Sequence, residues 1–477
     1  MKILFIYYTD FYKSWKHPIE NFGNIQLGIS YLSSTLKEDG NETKLFILNN
    51  NTKLRKIISY IRNYSPQVIA FYYATESQNK IPLVAQEIKK RLNNVFLIAG
   101  GVFPTLFPEI VLNQGFDAVC RGDGELPLKE LVKQLSKGKV TQIPNIWIKK
   151  GKTVERNPIT YFTNYDQVAY PDWKLWDRYI WDKKSLGTIL VGKGCPFNCT
   201  YCLNPKLKKL TRRNEIQLRS PKIIINELKT LLTAYPYLKK ISLQVETIGS
   251  DFNYLKDLCD KLKRFNDSIG NKIVYSARYR IRNTNNETKI LPYLKKANIT
   301  CLEIGVETGS ERIRKDVLKR YGTNKSLIAF TKEAKRLGFT INTYIMIGLP
   351  TETLEDFQKT IKILRVLEPD RILQAIYTPY PGTELYEKYP LQKYSKGNKR
   401  ERFTPFIYSS TFTKKQILKE FIFLSFKVQK NYKPMSYIVK DAASKIIYSN
   451  NFLHSLMYPL WLFFNSLLYY FKKVLND

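Results

Sequence analysis

Three cysteines at the end of a short β-branched run constrain this chain more than any other stretch. Thr188-Ile189-Leu190-Val191 leads into Gly192-Lys193-Gly194, and Cys195, Cys199 and Cys202 follow at C-x3-C-x2-C spacing. Half of the chain's six cysteines fall within these eight residues. Pro196 and Asn198 help the loop turn, and the glycines let backbone come close to whatever the thiols hold. A tight loop at a strand end can point three thiolates at one centre. A structural zinc site takes four protein ligands. No fourth cysteine lies nearby, and the only histidines, His17 and His454, are remote in sequence. A [4Fe–4S] cluster normally takes four cysteines, so three leave one iron open to a substrate or cofactor. Three reduced thiols packed together by chance is the bland alternative.

Around this loop the chain divides into four parts. Residues 1–150 alternate strand and helix. The strands are Lys2–Tyr8, Lys44–Leu48, Gln67–Tyr73, Val95–Ala99 and Asp117–Cys120, with helices over Gln26–Asp39, Thr52–Asn63, Lys80–Leu92 and Leu126–Ser136 between and after them. That alternation predicts an α/β fold with a Rossmann-like, doubly wound parallel sheet, whose ligands sit at the carboxyl ends of the strands. Two glycine-rich loops fall there, Gly100-Gly101-Val102-Phe103-Pro104-Thr105 and Arg121-Gly122-Asp123-Gly124-Glu125. Residues 151–185 read as a linker, with Pro158, Pro171 and the aromatics Trp173, Trp176 and Trp181 packing between domains. Residues 186–390 resume the alternation as six βα units, fewer than the eight of a closed barrel. Residues 391–477 belong to neither repeat and are basic, apolar and mainly helical.

Gly194-Cys195-Pro196-Phe197-Asn198-Cys199-Thr200-Tyr201-Cys202 resembles the signature of the radical S-adenosylmethionine (SAM) enzymes. The resemblance implies a partial (β/α)6 TIM-type barrel carrying a [4Fe–4S] cluster on Cys195, Cys199 and Cys202. In that family the open iron chelates SAM, and one electron yields a 5′-deoxyadenosyl radical that abstracts hydrogen from an unactivated carbon. Tyr201 fills the family's aromatic place near the adenine. Glu246, after the second barrel strand, stands where the family contacts the SAM amino group; a strand-end salt bridge is the alternative. Glu307, in Gly305-Val306-Glu307-Thr308-Gly309-Ser310, matches the family's GxESGS segment, with Thr308 in place of Ser. Arg278 matches a family arginine that pairs with the SAM carboxylate, the alternative being an internal salt bridge to Glu303 or Glu307. Gly348, in Gly348-Leu349-Pro350-Thr351-Glu352-Thr353, resembles the GLPGET turn near the adenine, where Glu352 caps the next helix.

The glycine loops of the first part, followed by Ile143-Pro144-Asn145, resemble the cobalamin (B12)-binding domain fused to one branch of that family. The resemblance makes Thr75, Gly100, Gly101, Gly122 and Gly124 candidate cobalamin contacts. Domains of this kind often carry D-x-H-x-x-G, whose histidine ligates cobalt. The first loop here reads Thr9-Asp10-Phe11-Tyr12, and His17 lacks the motif around it. The expectation is cobalamin without a protein histidine on cobalt; a degenerate domain that binds none is the alternative.

The net charge of +36 points to an anionic membrane surface, nucleic acid or a compositional habit of the source. No nucleic-acid signature is present, so no specific nucleic acid is expected. Few cysteines and no signal segment predict a cytoplasmic protein. From Leu391 onward there are 15 Lys/Arg against 4 Asp/Glu, and Phe452–Phe471 is nearly long enough to span a bilayer. His454, Pro459 and Asn465 weaken a spanning reading. An interfacial helix on the membrane and an apolar cap over the barrel both stay open. The resemblance adds a protein reductant such as ferredoxin or flavodoxin. The function it implies is cobalamin-dependent methylation, or C–C bond or ring formation, at an unactivated carbon, with a lipid as one candidate substrate. A peptide or natural-product C-methyltransferase is the first alternative. A non-catalytic Fe–S/cobalamin electron carrier or sensor is the second.

Overall fold

Lys2–Tyr8 is an unbroken apolar run, and it forms β1 with Ile3, Leu4, Phe5 and Ile6 all buried. Such a strand needs cover on both faces, which a parallel sheet between helix layers provides. The computed structural model describes residues 1–9, 13–14, 16–49, 51–92, 94–212, 216–270, 272–282, 287–389, 403–405 and 411–474, with backbone alone at 451, 464 and 466–474. The chain divides into two units, the first holding residues 1–183 and the second most of the rest up to residue 464.

In the first unit, β1 is followed by α1 (Leu27–Glu38), β2 (Glu42–Leu48), α2 (Leu54–Tyr64), β3 (Val68–Tyr72), α3 (Ile81–Arg91), β4 (Phe96–Gly100), α4 (Val102–Leu106), α5 (Pro108–Leu112), β5 (Ala118–Cys120) and α6 (Glu125–Ser136). Strand order is β2-β1-β3-β4-β5, all parallel, as expected for the doubly wound sheet. The sheet then gains β6 (Ile146–Lys150) and β7 (Thr153–Arg156), both antiparallel.

That hairpin corrects the linker expected over residues 151–185. β7 completes the first sheet, and the segment beyond it is tied down by polar contacts within the same unit. Thr163 Oγ1 and Tyr165 OH donate to the buried Glu125 carboxylate at 2.5 and 2.9 Å. Trp176 Nε1 donates to Ser30 Oγ at 2.8 Å, and its ring meets Tyr7 edge-on. The tryptophans expected to pack between domains thus include one that is fully buried in the first unit's own core.

In the second unit, β8 (Gly187–Leu190) opens a six-stranded parallel sheet. After it come β9 (Gly192–Lys193), α7 (Asn204–Thr211), β10 (Gln217–Leu218), α8 (Pro221–Ala234), β11 (Lys240–Gln244), α9 (Phe252–Ser268), β12 (Val274–Tyr279), α10 (Leu291–Lys296), β13 (Ile299–Glu307), α11 (Asn324–Arg336), β14 (Thr340–Ile347), α12 (Leu354–Leu367) and β15 (Arg371–Ile376). The six run in chain order, β8-β11-β12-β13-β14-β15, each parallel to the next, which is the partial barrel of six βα units. The helical segment before β13 opens as a 3-10 turn, Glu287–Ile290, that leads into α10. Pro292 suits that first helical turn because it has no N–H to leave unpaired.

Burial alternates with period two along these strands. Ile241, Leu243, Tyr275, Ala277, Leu302, Ile304, Ile341 and Ile345 are buried under the helices. The opposite parity carries Ser242, Gln244, Ser276, Arg278, Glu303, Asn342 and Tyr344, all partly open. A closed eight-stranded barrel fills its interior with branched apolar side chains. Here the inner face is mostly polar and partly open, with Val274 and Met346 as apolar members.

The remaining helices are α13 (Glu384–Lys388), α14 (Lys414–Gln429), α15 (Met435–Ser449) and α16 (Asn451–Val474). Residues 391–402, 406–410 and 475–477 of the expected C-terminal region lie outside the described residues. Among the described residues, no helix is long and apolar enough to cross a membrane.

Candidate functional site

β8 delivers the chain to the carboxyl edge of the second sheet, where β9 pairs antiparallel with β10. A Cβ on Gly192 would stand 2.8 Å from Gln217 O, so this pairing admits only glycine. Gly194, at φ +97°, then turns the chain into the cysteine loop. The loop is held from three sides. Thr200 Oγ1 donates to Val317 O at 2.6 Å, and Leu385 N donates to Thr200 O at 2.9 Å. Lys208 Nζ donates to Asn198 Oδ1 at 2.9 Å and to Pro196 O at 3.3 Å.

Cys199 is buried, while Cys195 and Cys202 are partly open. Burial pushes the Cys202 thiol up to about 11, with Cys199 and Cys195 adding to the shift. Burial likewise raises the Cys195 thiol, again with a contribution from Cys199. Three thiolates in one loop repel one another, so a cationic centre that they share would bring each of them down. The Arg280 guanidinium donates to Cys199 Sγ at 2.9 Å and lies over the Phe197 ring at 3.6 Å. Among the described residues, no group of three His, Cys, Asp or Glu side chains converges on a single metal ion. An all-sulfur donor set on a glycine-hinged loop, with a cation already against one sulfur, fits an iron–sulfur cluster.

The other expected residues of this site lie at the ends of successive strands. Tyr201 packs beside Val317, Leu318, Leu349 and Tyr377, with its hydroxyl 3.5 Å from Arg320 Nη1. Burial and then Glu307 hold that phenol well above its ordinary range. Glu307 ends β13 at φ +62°, a left-handed conformation that costs a non-glycine residue about 1 kcal/mol or more. The β13–β14 register slips between Gly305 and Glu307, and the bulge aims the carboxylate at Arg320, 3.8 Å away. A Cβ on Gly305 would sit 2.4 Å from Glu307 Oε1, which explains the glycine in this motif. Burial opposes the Arg320 charge, but Tyr201, Glu307 and Cys199 outweigh it and hold the guanidinium above the usual arginine range.

Glu246 follows β11 at the same edge. It is open to solvent on one side, yet surrounding protein raises its carboxyl, against hydrogen bonding from the Gly194 backbone. It also adds to the electrostatic load on Cys195 and Cys202, which places it among the cysteines. Gly348, at φ +79°, begins the turn after β14, and a Cβ there would stand 3.3 Å from Ile417 of α14. Its N–H and that of Leu349 donate to Glu352 Oε2 at 2.7 and 3.1 Å, so Glu352 braces the turn itself. Thr353, not Glu352, caps α12.

Arg278 takes the internal partner: its Nε lies 3.4 Å from Glu303 Oε2 on the inner face of the sheet, and Tyr344 OH donates to the same oxygen at 2.9 Å. The arginine beside the cysteines is Arg280, two positions on and with the same strand parity. Parity alone could have nominated both. Arg320 carried no signal, because it lies in a loop 13 residues after Glu307 and in none of the motifs.

In the first unit, Gly100 ends β4 and Gly101 follows it, Gly122 and Gly124 follow the adjacent strand β5, and Thr75 follows β3. Gly101, at φ +109°, has room for no side chain: a Cβ would meet Tyr73 O at 3.0 Å. Gly122 N donates to Thr105 Oγ1 at 3.0 Å, which ties the two glycine loops together. Asn145 Nδ2 donates to Asp123 O at 2.9 Å and pins the second loop from below. Glycine backbone at two neighbouring strand ends fits a large flat ligand that needs close approach, as cobalamin does. Asp10, Phe11 and Tyr12 of the first loop lie outside the described residues. His17 is buried edge-on against Trp181, and burial lowers it to about 4, so it stays neutral.

Comparison with known proteins adds to this geometry. The model of the Radical SAM superfamily matches residues 189–364, and that of the B12 binding domain matches residues 24–132. The uncharacterized methyltransferase PH0819 of Pyrococcus horikoshii is 30% identical over 368 residues, covering 76% of this chain and 77% of that protein. The anaerobic magnesium-protoporphyrin IX monomethyl ester cyclase of Rubrivivax gelatinosus is 23% identical over 412 residues, covering 81% of this chain and 70% of that protein. Among solved structures, the radical SAM methyltransferase TsrM of Kitasatospora setae superposes with a TM-score of 0.62 at 16% identity, covering 80% of this chain and 74% of that one.

Proposed function

This chain belongs to the radical SAM superfamily, with a B12 binding domain in the same polypeptide, and from that premise we propose that it adds a methyl group, or closes a ring or C–C bond, at an unactivated carbon of a lipid on an anionic membrane surface. Its cofactors are a [4Fe–4S] cluster, SAM and cobalamin. When bound, they supply a carbon radical that takes hydrogen from an unreactive C–H bond, and a methyl group to transfer.

The chain's own residues prepare the site. Arg280 places a positive charge against Cys199. Glu307, held in place by Arg320, is an acceptor fixed before any ligand arrives, which removes part of the cost of ordering it. The relatives include a methyltransferase and a cyclase, so the two outcomes stand side by side. The net charge of +36 suits an acidic reductant of the ferredoxin or flavodoxin kind, whose approach it would steer.

The observation that carries the lipid reading is one face of α16. Phe452, Leu456, Leu460 and Phe463 recur at helical spacing and are 72%, 53%, 47% and 57% exposed, with Met457 and Trp461 beside them. Met435, Val439 and Ile446 of α15 are exposed as well, near the open cations Lys430 and Lys440. Soluble proteins rarely leave so many large apolar side chains together in water, and the pairing with lysine suits an anionic interface. Each basic residue near such a surface contributes about 1 kcal/mol. The test is flotation with anionic liposomes at low salt, for the full chain and for a truncation after Asn450. The full chain should float, the truncation should not, and added salt should weaken binding. A full chain that ignores the vesicles would end the lipid reading. A second reading, methylation of a peptide or natural product, draws support from the polar inner face around Arg278, Glu303 and Tyr344, which suits a substrate with polar handles.

A further inference from the structure

The first unit holds a second concavity at the far edge of its sheet. A cavity of about 870 Å3 lies beside the edge strand β2, α2 and the 3-10 turn Trp173–Tyr179. That volume is in the range of small-molecule sites. Five cations line it, Lys16, Lys53, Arg55, Lys56 and Arg178, and no Asp or Glu does. None of the five makes an ion pair among the described residues.

Two features make this more than a basic patch on a basic protein. The first is its fit with α2. The helix begins without a side-chain cap on Lys53 and without an acidic residue in its first turn, and Arg55 and Lys56 stand in that turn. Free N–H groups and the helix dipole already make this end positive, so the cations there repel it and each other. An anion would relieve all of these at once. The second is that one cation is already placed. The Arg178 guanidinium lies over the Tyr179 ring at 5.0 Å and toward the Tyr60 ring at 6.0 Å. These cation–π contacts favour a guanidinium held beside the rings, and its fork suits a bidentate acceptor. Phe46, Ile47 and Pro18 give the same cavity an apolar wall. In the sheet order, β2 is the edge strand, with β1 and β3 between it and the strands that carry the glycine loops.

We propose that this cavity binds an organic diphosphate, its two phosphates shared among Arg178, Lys56, Arg55 and the open start of α2, and its organic part against the Phe46 wall. Diphosphate chemistry could come from a nucleotide or from an isoprenyl lipid precursor.

The experiment is titration calorimetry on the full-length protein at about 50 mM salt, where a screening length of roughly 14 Å preserves the field of the site. The probes are inorganic pyrophosphate, ADP and a short-chain isoprenyl diphosphate. Pyrophosphate should bind saturably at one site. Arg178→Ala and Lys56→Ala should each weaken it about tenfold, as loss of a charge-assisted contact does. Lys229→Ala, an exposed lysine of α8, should leave it unchanged. All three side chains are exposed, and a thermal melt of each variant checks that the fold is kept. ADP or the isoprenyl compound binding more tightly than pyrophosphate supports the proposal and names the source. No saturable binding, equal affinity in Arg178→Ala/Lys56→Ala and wild type, or both organic diphosphates weaker than pyrophosphate would overturn it. The readout needs neither cluster nor cobalamin, so it stands apart from the radical SAM activity.

Discussion

Both units are built on parallel sheets, yet they treat their strands in opposite ways. In the first sheet, β1 and β3 are buried almost end to end, and Ile3, Leu4, Val68 and Ile69 are fully enclosed. Helices cover both faces of these inner strands, so a ligand can reach β1 and β3 only at their ends. In the second sheet, every other residue of β11, β12 and β14 stays at least partly open, and that set is mostly polar: Lys240, Ser242, Gln244, Ser276, Arg278, Thr340, Asn342 and Tyr344, against Val274 and Met346. A sheet curled around its own inner face can offer that face as well as its ends. The difference teaches where to look for chemistry: at loops in the first unit, along the strand interiors in the second.

The largest effect separates the two sheets directly. Ile69→Ala removes side-chain volume from a face with no room to relax and should cost about 4 kcal/mol in urea unfolding. Ser276→Ala, on the inner face of β12, should cost less than about 1 kcal/mol. Equal losses would mean that the inner face is packed, and the comparison would fail.

A second contrast lies in two buried carboxyls. Glu125 of the first unit receives Thr163 and Tyr165. Glu352 of the second is fully buried, and burial raises it to about 8, against hydrogen bonds from Leu349 and Gly348 N–H. Its other oxygen, Oε1, has no hydrogen-bond partner among the described residues. In the unfolded chain this carboxyl ionises near 4.5. Below that pH both states hold the proton, and Glu352 has no effect on stability. Between there and about 8 only the folded state holds it, so stability falls as pH rises. Glu352→Gln should therefore gain on the wild type by about 4 kcal/mol between pH 4 and pH 8. Denaturant midpoints across that range measure it, and parallel curves would contradict the raised carboxyl.

The strain at Glu307 sharpens the comparison further, because it sits on the open sheet and serves the site rather than the core. Glu307→Gly relieves a left-handed φ but takes the carboxylate from the buried Arg320 guanidinium, so stability should fall by about 1 kcal/mol or more while SAM binding weakens. A variant that loses stability and keeps SAM affinity would make Glu307 a structural residue. The smallest effect belongs to the first unit. His17→Ala should leave the absorption and EPR spectra of bound cobalamin unchanged, because the ring is packed against Trp181. Loss of nitrogen hyperfine splitting in the variant would show that His17 does reach the metal.

Much of this was legible because it is local. The succession of six βα units follows from helix and strand periods in the sequence, and the cysteine loop and the two glycine loops are contiguous. The alternation even held the polar inner face, since Ser242, Gln244 and Ser276 sit at every second position. What stayed hidden depends on distant parts of the chain meeting. Arg278 and Arg280 share a parity, and only the fold gives the first to Glu303 and the second to Cys199. Arg320 reaches Glu307 from a separate loop. The β6–β7 hairpin was the avoidable loss. Two short alternating runs flank Gly151-Lys152, a two-residue turn with glycine at φ +61°, and that pattern reads as a hairpin.

The central claim is that the cysteine loop at the carboxyl edge of the second sheet is the site of SAM cleavage. Anaerobically reconstituted, reduced protein should convert SAM to 5′-deoxyadenosine, with EPR and iron and sulfide analysis giving one [4Fe–4S] cluster. Cys199→Ala should lose the product and the cluster signal while its thermal midpoint stays within a few degrees of wild type, at about 1 kcal/mol or less of stability. A full cluster signal with undiminished 5′-deoxyadenosine in Cys199→Ala would contradict the account.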